Sequence, residues 1–185
     1  MGELTGAHLD LLPSTTVAWK EWKALYPDTK LLVGTADSPV KFSSRSYGQN
    51  FPPGFKARID GDQFLFPVAS DLLDRRLGSG YLVLTVEVDG SATAYPLDRI
   101  GDAAVNDQVG GRPAVVFSQE NGRAVEAFFR EVDGRSLTFE YRADRENFIH
   151  CATESVWDGA GRATEGPLAG KELERSNTRR AFWFS

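Results

Sequence analysis

His150 and Cys151 are neighbours, and an imidazole beside a thiol is the pair from which a thiolate nucleophile or part of a soft-metal site is built. In an extended segment adjacent side chains point to opposite faces, so these two cannot easily share one metal or act as nucleophile and base. His8 is the only other histidine, Cys151 the only cysteine, and no His-x-x-x-His spacing occurs; the sequence implies no metal and no cofactor. Asp60 and Asp62 flank Gly61 as in the start of a calcium loop, but the later ligand positions are missing. There is no Gly-x-Ser-x-Gly elbow, phosphate loop or dinucleotide fingerprint. "VNDQVGGRP" sets Asn106 and Asp107 beside a Gly110-Gly111 turn, where such side chains either bond local backbone or hold a ligand.

The elements that must position these residues read mainly as strands. Asp89-Gly90 separates Tyr81–Val88 from Ser91–Leu97, and Asp133-Gly134 separates Val125–Val132 from Arg135–Arg142; both are hairpin signals. Asn121-Gly122, inside "VVFSQENGRAV", predicts a two-residue type I′ turn pairing Ala114–Gln119 with Arg123–Arg130. Lys30–Gly34 is a short apolar run, Pro39–Asp62 reads as a long loop, and Ser70–Leu77 as a short helix. Near the start, Ser14 or Thr15 can cap a helix on which Trp19, Trp22 and Tyr26 share one face before "YPDT" stops it. The expected fold is mainly β (α+β): a single antiparallel meander forming a roll or partly closed barrel, with this one N-terminal helix packed on it.

With 185 residues, 41% of them apolar, the chain is long enough for one buried core. Its 21 basic and 26 acidic residues give a net charge of −5, which argues against nucleic acid as a partner. No apolar stretch approaches a membrane span, and "MGELTGAHLD" lacks the regions of a signal peptide, so the chain reads as soluble.

Gly2, Leu4, Gly6, Leu9 and Trp19 recur as Gly166, Leu168, Gly170, Leu173 and Trp183, each 164 positions later. About one such identity is expected by chance over this overlap, so the pattern predicts a tandem duplication of which the chain is one period. An arm over 1–29, echoed at 166–185, would then precede a β-rich domain over 30–185.

"AYPLDRIGDAAVNDQVGGRPAVVF", "VDGRSLTF", "TESVWDGAGRATEGPLAG" and "WKEWKALYPDT" together resemble the family called domain of unknown function 3179 over most of the chain. Tyr95-Pro96, Val105-Asn106-Asp107, Gly110-Gly111, Thr153, Ser155, Trp157 and Gly166 to Gly170 fit its pattern. Proteins of that family look like two related halves, and relatives are often exported. Three departures stand out. The family's Cys-Pro-Leu-Cys motif falls on Gln119-Glu120-Asn121-Gly122, Asp102-Ala103-Ala104 replaces a His-Glu pair, and His150-Cys151 stands where relatives often have Asp-Arg. The resemblance implies redox or soft-metal chemistry at the cysteine motif, and Gln119 and Gly122 can supply neither.

The leading expectation is therefore a non-catalytic structural or binding repeat of unknown substrate. It would pack against a homologous, cysteine-bearing repeat in the same parent protein or against a homodimer mate. A second is a stand-alone domain in which Tyr95, Asn106, Asp107 and Trp157 line a small-molecule pocket, with Arg76 as an anion partner. A third is a thiol-dependent enzyme using Cys151.

Overall fold

The computed structural model describes residues 19–30, 54–64 and 68–183. They fall into two compact units, one of 82–181 and one of 19–81 with 182–183.

The smaller unit carries α1 (Trp19–Leu25) and α2 (Phe55–Asp60). The Trp22 and Tyr26 rings lie 4.5 Å apart, as their one-turn spacing predicts, and Trp22 Nε1 donates to Thr29 Oγ1 at 2.8 Å. The Ser14 and Thr15 caps, the first copy of the repeated motif and the 31–34 run lie outside the described residues. Two expectations change here. The end of the predicted loop forms α2, stopped where Gly61 N–H bonds the Ala57 carbonyl, with Ile59 buried. The predicted Ser70–Leu77 helix shrinks to a 3-10 turn, Ser70–Leu72, because Leu73 is extended and the Asp74 carboxylate takes the Arg76 backbone N–H and guanidinium instead. Asp60 and Asp62 likewise serve backbone and side chains: Asp60 accepts from Gly80 N–H and Asp62 from Ser79 Oγ and Arg75.

The larger unit is built of antiparallel strands: β1 (Leu82–Val88), β2 (Ser91–Pro96), β3 (Ala103–Val109), β4 (Arg112–Gln119), β5 (Ala124–Phe129), β6 (Glu131–Val132), β7 (Arg135–Ser136), β8 (Phe139–Arg142), β9 (Asn147–His150), β10 (Val156–Trp157), β11 (Ala163–Glu165), β12 (Glu174–Arg175) and β13 (Asn177–Phe182). A short helix, α3 (Leu97–Ile100), follows β2. Three sheets have the orders β13-β1-β2, β12-β5-β4-β3 and β11-β10-β9-β8, with β6 and β7 as a separate hairpin. The protein is mainly β, and the described strands close no barrel. No helix of the described residues is long and apolar enough to cross a membrane.

Three turns follow directly from their dipeptides. Val88 pairs with Ser91, Val109 with Arg112 and Val132 with Arg135, leaving Asp89-Gly90, Gly110-Gly111 and Asp133-Gly134 as two-residue loops. All six residues have positive φ, as type I′ requires.

The central strands β4 and β5 of the β12-β5-β4-β3 sheet are buried on both faces, which explains why "AVVFS" in β4 is an unbroken apolar run rather than an alternation. Ala114 and Val116 enter one core with Leu84, Val86, Tyr95, Val125 and Phe129. Val115 and Phe117 enter another with Phe128, Phe139, Phe148 and Trp157. Phe117 stacks on Phe148 with centroids 3.9 Å apart and meets Phe139 edge-on at 5.1 Å. The sheet with β3 at one edge thus lies between two cores, and its neighbouring side chains reach into different ones.

Candidate functional site

Asn106 and Asp107 on β3 show that division most clearly. The register puts Asn106 opposite Val115 and Asp107 opposite Ala114, hence on opposite faces. Asn106 Nδ2 donates to the Phe139 carbonyl at 2.8 Å while its Oδ1 accepts from Phe139 N–H at 2.9 Å, so the carboxamide pairs with β8 as a backbone peptide would. On the other face Asp107 Oδ2 accepts from Tyr95 Oη at 2.8 Å, and Oδ1 takes the Gln108 N–H at 2.7 Å. Two adjacent residues therefore fasten one sheet to strands on either side. Trp157 is fully buried in the core on the Asn106 side, with no hydrogen-bond partner for Nε1. Arg76 belongs to the smaller unit, where it pairs with Asp74 at 2.6 Å and lies over the Trp183 ring. The structure brings together Tyr95 with Asp107, but it puts Asn106 and Trp157 across the sheet from them.

The Tyr95–Asp107 contact has a pH signature. Burial first, then the hydrogen bond and charge of Asp107, push the Tyr95 phenol above its ordinary range. A phenol with a raised folded pKa contributes stability that is complete below about pH 10 and is lost as pH rises through its folded value. Tyr95→Phe is expected to lower stability at neutral pH by about 1 kcal/mol. It should also flatten the alkaline decline, read by urea unfolding at neutral pH and above the ordinary phenol pKa. A decline as steep as the parent's would assign the alkaline loss to other groups.

The segment between β4 and β5 departs from the predicted two-residue turn. Gln119 pairs with Ala124, so Glu120, Asn121, Gly122 and Arg123 form a four-residue loop. Glu120, Asn121 and Gly122 have φ of 53, 55 and 78°, three consecutive left-handed residues. Asp102 Oδ1 accepts the Asn121 N–H at 2.6 Å, and Gln119 Nε2 donates to the Glu146 carbonyl at 2.6 Å. These outside bonds stabilise a wider loop than the Asn-Gly dipeptide alone would favour.

His150 and Cys151 point apart, as neighbours in extended chain do: His150 is buried and Cys151 exposed. His150 Nδ1 lies 2.8 Å from Thr153 Oγ1, Thr153 Oγ1 lies 2.8 Å from Ser155 Oγ, and Ser155 Oγ accepts the Leu168 N–H at 3.1 Å. With His150 neutral and protonated on Nε2, every hydrogen in this chain runs one way, from Leu168 to the ring. Burial holds the imidazole below its usual pKa and so favours that neutral form. Burial, then the nearby Glu140 carboxylate, pushes the Cys151 thiol up, which opposes thiolate formation. No group of three or more candidate metal ligands occurs among the described residues.

The family described as Protein of unknown function (DUF3179) matches residues 1–185. The chain belongs to the DUF3179 family. No curated protein and no solved structure matches it. In this DUF3179 protein the residues that carry the resemblance hold the sheets together. Asn106 and Asp107 clamp the sheet between its neighbours, and Ser155 ties the strand before Trp157 to the Gly166–Gly170 loop. One further organising residue had no sequence signal at all. Arg130, at the corner after β5, donates to the carbonyls of Ala114 at 3.0 Å and Leu137 at 2.7 Å and to Ser136 Oγ at 2.8 Å.

Proposed function

We propose that this DUF3179 chain is a non-catalytic repeat, a structural partner for a homologous cysteine-bearing repeat in the same parent protein or for a second copy of itself. The observation that carries the reading is the use made of Gln119 to Gly122, the positions on which the family's two cysteines fall. Gln119 bonds the Glu146 carbonyl, Asn121 N–H is taken by Asp102, and Gly122 lies so close to Leu97 that a Cβ there would meet its carbonyl oxygen at 2.3 Å. Gln119, Asn121 and Gly122 thus each have a part in closing the loop, and neither Gln119 nor Gly122 has the electron-transferring or nucleophilic group of a cysteine. Cys151 does not replace them, because its surroundings disfavour the thiolate. The proposal includes a roll-like curvature of the strands.

The test is thiol–disulfide exchange, measured as reduction of insulin in the presence of dithiothreitol. The chain and its Cys151→Ser variant are expected to match the rate without protein. A rate for the chain well above that of the variant would overturn the reading and make Cys151 a reactive thiol.

A further inference from the structure

Several charged groups among the described residues are already engaged in ion pairs. Asp62, Asp74, Asp133 and Asp158 sit in ion pairs, and Glu126 and Glu174 pair with arginines. Arg142, Arg145, Glu154 and Glu165 are in no ion pair among the described residues, and what sets them apart is that all four line one cleft of about 330 Å³. Its floor is Ile149 and Val156. A cleft of this size is at the small end of those that hold small molecules.

Strand register orders the charges. Ile149 pairs with Val156, and Val156 pairs with Glu165, so these three share one face in a row across β9, β10 and β11, which Glu140, opposite Ile149 on β8, extends beyond the lining of the cleft. Phe148 and Trp157, each next in sequence to a floor residue, point the other way into the aromatic core. Arg142 pairs with Asn147, two positions from Ile149 along β9, which puts its row roughly 7 Å from the floor row. Arg145 lies in the β8–β9 turn at that same end, between Asp144, which also lines the cleft, and Glu146, which does not. Glu154 lies in the β9–β10 turn, at the opposite end of β9, and lines the cleft together with Glu165. The residues that line the cleft therefore put two arginines and Asp144 at one end, an apolar middle between, and two glutamates toward the other end.

The acidic end is also built firmly. Glu154 has φ 54°, a left-handed conformation that glutamate adopts rarely, and its N–H bonds the His150 carbonyl at 2.9 Å. Gly166, which lines the cleft, has φ 86°, and a Cβ there would meet Ser155 Cα at 2.9 Å. The His150–Thr153–Ser155 chain of hydrogen bonds ends on Leu168 N–H and fixes that loop from below. On the same sheet face, Asn147 holds a buried Oδ1 with no hydrogen-bond donor. Walls held in place before a ligand arrives reduce the entropy lost on binding.

We propose that this cleft binds a small zwitterion, with the anionic group at Arg142 and Arg145, an alkyl body over Ile149 and Val156, and the cationic group at Glu154 and Glu165. Binding of this kind goes beyond the structural role argued above and needs no reactive residue.

The probe is 6-aminohexanoate, whose ammonium and carboxylate are joined by an alkyl chain; hexanoate and hexylammonium each lack one end. In an NMR titration of the isotopically labelled chain, 6-aminohexanoate is expected to give saturable shifts centred on Ile149 and Val156. The one-ended probes should bind at least tenfold more weakly. Arg142→Gln with Arg145→Gln, and separately Glu154→Gln with Glu165→Gln, should each weaken the zwitterion at least tenfold, with unchanged spectra away from the cleft showing that both variants fold. The proposal is overturned if no saturable shift occurs, if either one-ended probe binds as tightly as the zwitterion, or if both folded variants bind as the parent does.

Discussion

Arg130→Ala is expected to destabilise the protein by about 3 to 4 kcal/mol, among the larger effects open to a single substitution. The guanidinium donates to the Ala114 and Leu137 carbonyls and to Ser136 Oγ, and lies 3.4 Å from the Asp107 carbonyl. These acceptors come from β3, β4 and the hairpin of β6 and β7, where the chain leaves one sheet before entering the next. Truncation removes several charge-assisted bonds at once and leaves carbonyls in a partly buried place without their donor. Arg130→Lys keeps the charge but loses the planar fork, and should recover less than half of the loss. Urea unfolding of the parent and both variants decides the matter. A lysine variant as stable as the parent would mean that charge alone, not the array of donors, acts at this corner.

The second large effect is expected at Gly122. Its φ of 78° already disfavours any side chain, and an added Cβ would meet the Leu97 carbonyl oxygen at 2.3 Å, a contact with backbone that no rotamer can relieve. Gly122→Ala should therefore cost about 3 kcal/mol or more, combining left-handed strain with displacement of α3 or the loop. Gly134 provides the comparison: its φ is 73°, but an added Cβ meets nothing. Gly134→Ala should cost only about 1 kcal/mol, the conformational part alone. Equal losses for the two variants in denaturant unfolding would show that the approach to Leu97 contributes nothing.

The contrast between these glycines also marks what could be read from sequence. Asp89-Gly90, Gly110-Gly111 and Asp133-Gly134 form the expected turns because the conformation they need is a property of the dipeptide itself. Asn121-Gly122 has the same local preference, yet Asp102 and Glu146, 19 and 27 positions from the residues they bond, draw it into a longer loop. The apolar run in β4 was legible as a strand, and its burial on both faces depends on which sheets come to flank it. Asn106 looked like a turn residue because its partner, Phe139, is 33 positions away. Arg130 gave no signal, since surface and organising arginines are alike in a sequence. The same holds for Arg142, Arg145, Glu154 and Glu165, which are ordinary charged residues until four strands set them around one cleft.

The passage from β12 to β13 has a consequence for how the chain acquires its structure. β12 pairs with β5, while β13, after Ser176 alone, lies beside β1. Ser176 bonds the Ala127 carbonyl through both N–H and Oγ, and Thr85 Oγ1 reaches the Arg179 carbonyl across 94 positions of sequence. The first described strand of the unit thus waits for the last before its edge is covered. Contacts of such long sequence separation slow the search for the native state. During synthesis on the ribosome, β1 and β2 emerge as a hairpin whose β1 edge stays open until nearly the whole unit has followed. β12 and β13 complete two sheets at once, whereas the β11-β10-β9-β8 sheet needs only consecutive strands, so two of the three sheets close together on the last strands.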